Sequence, residues 1–412
     1  MSEQELISPT SADELVDAVN SAIASGKAIN VAGSGTKSAI GNNVDAHVQI
    51  TTSKLSGVSE YIHSELVMTA KSGTPVSTVQ KELAKNNQML AFEPADYSKL
   101  LGTKGKQTIG GVFATNMSGS RRLSAGAARD ALLGVKFVNG KGELIKSGGK
   151  VMKNVTGLDL VKLLAGSWGT LGIMSEVTFK VLPRPEVMKT ILIKGLSDTD
   201  ASKAMALAMG QSTEVSSAAH LPETISSAFL DGAFKDQPVT ALRLEGLKES
   251  VDDREKRLIK ALSEYSDISV IETDQSALLW QEIADVKPFC GTDTIVWKVS
   301  VAPSLGHQLV AKLRHVTDVD AFYDWQGGLV WISLKSGHYA SELRQAIKEL
   351  GGGHATLIRG SDDARSDVDV FEPQTLPVAA LSARIKAQID PKNIFNPGRM
   401  SLNDDVMNKA AV

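Results

Sequence analysis

The placing of small residues constrains this chain more than any other feature. Three glycine-rich runs lie in its first half: Val31-Ala32-Gly33-Ser34-Gly35-Thr36-Lys37-Ser38, Thr108-Ile109-Gly110-Gly111-Val112-Phe113-Ala114-Thr115-Asn116-Met117-Ser118-Gly119 and Gly166-Ser167-Trp168-Gly169-Thr170-Leu171-Gly172-Ile173. Glycine reaches positive φ and lets a ligand touch the main chain. Successive amides can then converge on an anion, with Ser, Thr and Asn side chains adding donors. Any one run reads equally well as a turn. Together, each beside a strand signal, they point to a phosphate-bearing ligand, and a diphosphate suits such turns best.

Single residues exclude the common phosphate loops. A Walker A loop needs Gly directly before Lys-Ser/Thr, but Thr36 precedes Lys37, and Gly105-Lys106 is followed by Gln107. The dinucleotide fingerprint G-x-G-x-x-G fails because Ser38 stands at its third glycine. With no H-R-D or D-F-G string, a protein kinase is excluded too. Lys plus Arg (44) nearly balances Asp plus Glu (47), so no uniform field draws in nucleic acid. The lone Cys290 excludes a disulfide framework and any iron–sulfur cluster held by this chain alone, and it fits a reducing compartment. No signal peptide and no membrane span is expected, because the N-terminus lacks an apolar core segment and no apolar run reaches ~18 residues.

Helix and strand signals alternate along the chain. Ser11 to Glu14 reads as a capping box, Leu15, Val19, Ala22 and Ile23 share a helical face, and Gly26 stops the helix. Strands are expected at 28–32, 65–71 and 177–181, a helix after Thr74-Pro75, and a hairpin at Asn139-Gly140. Pro183-Arg184-Pro185 marks a boundary. Beyond it, strands near 190–194, 239–245, 268–271, 294–301, 321–325, 329–334 and 355–359 interleave with helices near 201–209, 251–265, 307–316 and 340–350. That order suggests two βαββαβ-type units sharing one antiparallel sheet, with helices on one face. A final helix carries Leu381, Ile385 and Ile389 on one face and ends in Asn396-Pro397-Gly398-Arg399.

Taken in order, the glycine runs resemble the FAD-binding domain of the vanillyl-alcohol oxidase/p-cresol methylhydroxylase type. The resemblance covers about residues 8–185 and the Asn-Pro-Gly-Arg ending. It implies an α+β fold: a two-part FAD-binding domain (1–185), a ferredoxin-like antiparallel-sheet cap domain (186–375) and a C-terminal segment (376–412) that returns to the FAD domain. It makes Val31, Gly33, Ser34, Gly35, Thr36, Lys37 and Ser38 the pyrophosphate loop. Pro94, Thr108, Gly110, Gly111, Ala114, Thr115, Asn116 and Gly119 belong to a second FAD-binding stretch. Lys153 to Asp159 with Gly169, Gly172 and Ile173 form the closing stretch, and Asn396 lies near the flavin ring. No His stands in the pyrophosphate loop, so the FAD is expected to be non-covalent.

More narrowly, the chain is similar to the FAD-binding subunits of bacterial glycolate oxidases (glycolate dehydrogenases), and the string Gly148-Gly149-Lys150-Val151-Met152-Lys153-Asn154-Val155-Thr156-Gly157 favours the smaller flavin subunit. That resemblance implies oxidation of glycolate and D-lactate to the 2-oxo acid within a cytoplasm-facing complex. A second flavoprotein subunit and an iron–sulfur subunit are its partners, and the membrane is reached only through them. Relatives of this type place a histidine cluster for a metal beside the flavin. None of the seven His here forms one: His307 and His315 are eight residues apart, His338 is on a loop, and His354 opens a strand. No metal is expected. A carboxylate needs a cation and a hydroxyl needs a base, and His354 with Arg359 is the preferred pair, ahead of Arg243. Arg121-Arg122 reads either as a phosphate contact or as an exposed loop pair, and Trp280, Trp297, Trp325 and Trp331 read as core. A stand-alone 2-hydroxy-acid oxidase and a non-redox assembly subunit are the alternatives.

Overall fold

The computed structural model describes residues 4–151, 158–235 and 237–401. The first helix, Ala12–Ser25, starts where Ser11 Oγ accepts from Glu14 N (3.1 Å) and ends on Gly26 at φ 62. Glu14 does not close the reciprocal box; it reaches back to the Thr10 amide and hydroxyl instead. The helix buries Leu15, Val19 and Ala22 against a three-stranded parallel sheet, ordered Glu5–Ile7, Val48–Thr51, Ile29–Ala32. The end of the chain comes back to that sheet: Ile29 N donates to Ile394 O, Asn396 N donates to Ile29 O, and Phe395 fills the core beneath.

A second layer is a five-stranded antiparallel sheet in the order Val58–Ile62, Val67–Lys71, Ile173–Lys180, Leu132–Val138, Leu144–Gly148. Phe92, Phe113 and Phe179 pack as tilted rings in its core, with neighbouring centroids 5.5 Å apart. The expected hairpin turns at Asn139, whose side chain accepts from Lys141 N and Glu143 N. Strand Val67–Lys71 starts two residues later than expected, because His63–Glu65 form a 3-10 turn closed by Leu66 at φ 58.

The remaining strands form one eight-stranded antiparallel sheet. Its first four are Val187–Lys194, Ser217–Leu221, Val239–Gly246 and Ile268–Ile271; its last four are Ile295–Ser300, Val319–Asp324, Leu329–Leu334 and His354–Arg359. Within each set the spatial order is fourth, first, third, second, and the two second strands pair at His220 and Tyr323. This is the doubled βαββαβ arrangement, with helices Asp198–Met209, Lys248–Ala261, Gly306–Arg314 and Ala340–Glu349 on one face.

Three details depart from the sequence reading. Helix Thr273–Ala284, unforeseen because it follows its strand without a break, packs Leu279, Trp280 and Ile283 on the opposite face, so the helices are not confined to one side. Strand Ser217–Leu221 was hidden by its Ser-Ala-Ala composition, which carries little β signal, yet every residue in it is buried. In the last helix, Leu376–Ile389, Leu381 points out at 50% exposure while Ala379 and Ala383 are buried. A strict four-residue spacing drifts round a 3.6-residue helix, so Leu381 leaves the face on which Ile385 and Ile389 pack.

A candidate cofactor cleft

The three glycine runs meet around one cleft. A Cβ on Gly33 would strike Thr108, joining the first run to the second, and a Cβ on Gly169 would lie 3.3 Å from Val31 and 2.9 Å from Asn396 Nδ2, joining the third to the first. The third run also hangs on the second, through Gly166 N to Phe113 O and Trp168 N to Ala114 O. Asn396 is the clamp: its Oδ1 accepts from Val31 N (2.7 Å) and its Nδ2 donates to Trp168 O (2.7 Å). Such mutual contact at side-chain-free positions lets three backbones approach closely.

Hydrogen-bond accounting shows what the cleft lacks. Among the described residues, the amides of Ser34, Gly35, Thr36 and Lys37 have no hydrogen-bond partner. Thr36 is buried and Ser34, Gly35 and Lys37 are half-buried, and four free donors in succession can serve as an anion cradle. Gly35 holds φ +78 and nothing lies within 4 Å of the Cβ it lacks, so the turn opens onto space. Ser72 Oγ, in the cleft wall, is buried without a partner. The charged residues lining the cleft are Lys37 and Arg399, with no carboxylate among them. Burial pulls Lys37 down to about 8, and its ammonium has only a long contact to Gln107 Oε1 (3.4 Å). Burial, with Arg365 adding, likewise lowers Arg399 to about 10, although its guanidinium holds Ile40 O (2.7 Å). The unpaired amides, two desolvated cations and the free hydroxyl fit a diphosphate.

Of the sequence-expected cofactor residues, Val31, Gly33 to Ser38, Thr108, Gly110, Gly111, Ala114, Thr115, Gly169, Gly172, Ile173 and Asn396 line this cleft. Pro94, Asn116 and Gly119 do not. Asn116, at φ 51, caps its helix and accepts from Arg129 N; Pro94 O accepts from Gln107; Gly119 lets the chain pass over Glu93. Lys153 to Gly157 lie outside the described residues. The rest of the lining, which the sequence reading did not single out, is Asn30, Ala32, Gln49, Thr52, Ser72, Trp168, Met174 and Arg399. Polar Gln49 and Thr51 in a strand paired on both sides were the available signal.

His354 and Arg359 are not brought to the cleft. His354 is exposed at the start of an edge strand. The Arg359 guanidinium is spent on Thr294 O, Leu100 O, Phe289 O and the Thr292 and Thr294 hydroxyls. Arg243 is fully buried and paired: it donates twice to Glu93 (2.6 and 3.0 Å) and lies 4.7 Å over Trp280. Arg121 donates to both oxygens of Glu245 (2.7 Å each), and its amide donates to Glu93. Burial would raise Glu93, yet Arg243 and Arg121 overcome it and hold the carboxyl at about 2. This network ties the glycine-rich half to the eight-stranded sheet. Among the described residues, no three His, Cys, Asp or Glu side chains are grouped to hold a metal, and no helix is long and apolar enough to cross a membrane.

A family model described as an FAD binding domain matches residues 4–148. The chain is 30% identical over 394 residues to glycolate oxidase subunit GlcE of Escherichia coli (strain K12), covering 94% of this chain and 96% of that one. It is 26% identical over 345 residues to glycolate oxidase subunit GlcD of Bacillus subtilis (strain 168), covering 72% and 68%. Its fold matches that of p-cresol methylhydroxylase with a TM-score of 0.73 at 15% identity, over 97% of this chain and 89% of that one. Geometry and kinship therefore agree on the diphosphate of one dinucleotide. The chain belongs to the FAD-dependent oxidoreductase family of the glycolate oxidase subunits, and its cofactor is FAD.

Proposed function

We propose that this chain is the FAD-carrying subunit of a glycolate oxidase-type complex, oxidising glycolate and D-lactate to the 2-oxo acid. The observation that carries the reading is the cradle of four unpaired amides, Ser34 to Lys37, in a chain similar along 94% of its length to a glycolate oxidase subunit. The Ser34–Lys37 amides, Lys37 and Ser72 would hold the diphosphate without a covalent link, and Asn396 fixes the two walls. Bound FAD supplies two-electron acceptance, chemistry that no side chain here offers. The protein's part is to hold and orient it and to keep the cleft positive.

Electrons then leave to another molecule, since one cysteine cannot hold an iron–sulfur cluster. An iron–sulfur subunit and a second flavoprotein subunit are the proposed partners, and any membrane association runs through them. The test is anaerobic addition of glycolate or D-lactate to the purified, FAD-loaded protein, alone and with its partner subunits. Bleaching of the flavin absorption supports the reading. Unchanged bands in both preparations would overturn it in favour of a non-redox assembly subunit. Steady turnover by the isolated chain with oxygen as sole acceptor would overturn the complex in favour of a stand-alone oxidase.

A further inference from the structure

Outside the cofactor cleft, Lys298 and Arg122 come together on the face of one indole ring. Lys298 sits mid-strand in Ile295–Ser300, cross-strand from Trp331, on the face opposite the four sheet-covering helices. Its ammonium lies 5.3 Å from the centroid of the Trp325 ring and 5.9 Å from that of Trp331. Arg122, the first residue of the short helix Arg122–Ala125 after the second glycine run, places its guanidinium 4.5 Å from the same Trp325 centroid. Among the described residues, neither head group makes a hydrogen bond or ion pair.

The adjacent carboxylate does not satisfy them. Asp324 Oδ2 accepts from the Ser120 hydroxyl (2.7 Å) and Oδ1 from Trp325 N (2.7 Å). Trp325 is in turn fixed by its indole N–H to Gly119 O (3.1 Å), so the ring stands rigidly beside both cations. Arg122 is exposed, whereas Lys298 is enclosed deeply enough for burial to lower it to about 8, with Arg122 adding to that and Asp324 opposing it, yet it keeps accessible surface. A desolvated, unpaired ammonium is costly unless an anion joins it, and a guanidinium cannot shed its proton. Cations on an indole wall suit a small anion with a short carbon body: charge at the head groups, apolar cover from the ring.

We propose that Arg122, Lys298 and the Trp325 ring form the site that binds the carboxylate of a small 2-hydroxy acid, Arg122 being its exposed cation and Lys298 its enclosed one. This rests on the oxidoreductase reading above and adds the groups that recognise its substrate. Ser120 and Asp324 position the ring and do not touch the ligand.

The test is calorimetric titration of the FAD-loaded protein with glycolate, its neutral analogue glycolamide, and inorganic phosphate, with the FAD content of each variant measured alongside. Lys298→Met is expected to weaken glycolate binding about ten- to a hundredfold, the loss of a charge-assisted hydrogen bond. Lys298→Arg keeps it within about threefold because the charge stays. Arg122→Gln, at the exposed end, weakens it less than Lys298→Met. Glycolamide is expected to bind weakly to all forms. If wild-type flavin bleaches with glycolate while Lys298→Met keeps the wild-type Kd and full FAD, this site falls and the function stands. If phosphate binds as tightly as glycolate and Lys298→Met loses both, the substrate assignment of the site falls. If wild-type protein neither bleaches nor binds glycolate, both fall together.

Discussion

Glu93→Gln would leave Arg243, which is fully buried, facing a neutral amide, and the size of the penalty can be worked in two ways. Glu93 is held at about 2 against an ordinary 4.5, which amounts to about 3 kcal/mol of stability at neutral pH. Removing one member of a buried ion pair costs about 3–5 kcal/mol, chiefly from the charge left behind. Arg121 keeps its hydrogen bonds to Glu245, whereas Arg243 loses both of its own to Glu93 and is left with Glu245 at 4.0 Å, so the expected loss is about 3 kcal/mol, the low end of that range. Because the folded pKa is depressed, this stability is complete above the ordinary value of 4.5 and drains away as pH falls towards about 2. The gap between wild type and variant should therefore be widest at neutral pH and narrow below 4.5. Denaturant unfolding of the FAD-loaded proteins across that range measures it. The double variant Glu93→Gln/Arg243→Met should regain part of the loss, since it removes the stranded charge. A Glu93→Gln protein as stable as wild type at pH 7, or a double variant that falls by the sum of its singles, would refute the reasoning.

Gly35→Val forces a β-branched residue to φ +78, a conformation costing about 1–2 kcal/mol for a side-chain-bearing residue, and fills the space beside the amide cradle; the variant should purify colourless with wild-type circular dichroism, and a fully yellow one contradicts the cradle. Asn396→Ala orphans Val31 N and Trp168 O, so FAD should dissociate more readily in a dilution assay, whereas unchanged retention would mean the clamp is idle. Arg359→Met should lower thermal stability and leave the glycolate Kd alone, because its guanidinium serves backbone carbonyls of three segments; a changed Kd with unchanged stability would restore it as a substrate ligand. Since burial lowers Lys298 to about 8, its charge is present below that pH and lost above it. Glycolate affinity should therefore fall as pH rises past 8, with Asp324 (raised by burial to about 6) and Arg122 as the other charged groups facing it; a flat Kd profile from pH 7 to 9 would count against a binding role for the amine.

The cofactor cleft was legible because its chemistry is local. Gly33 and Gly169 sit where only a missing side chain allows Thr108, Val31 and Asn396 to close up, Gly35 sits where the turn takes φ +78, and such positions leave glycine in the sequence whatever the tertiary context. The doubled βαββαβ order was legible for a similar reason, since alternation and turn residues repeat at short range. What sequence alone could not supply was anything decided by which strand lies beside which. Arg359 and Lys298 are both cations on adjacent, directly paired strands of the same sheet. Only the pairing settles that Arg359 reaches the carbonyls of Leu100 and Phe289 and is spent there, whereas Lys298 stands across from Trp331 with nothing to hold. The same pairing sets Asp324 against Ser120 from two hundred residues away, so that Trp325, buried in the core as the sequence reading expected, also stands as a wall beside two unpaired cations. A basic residue in a buried strand therefore announces a cost in the sequence, and the arrangement of its neighbours determines whether the protein itself or a ligand meets it.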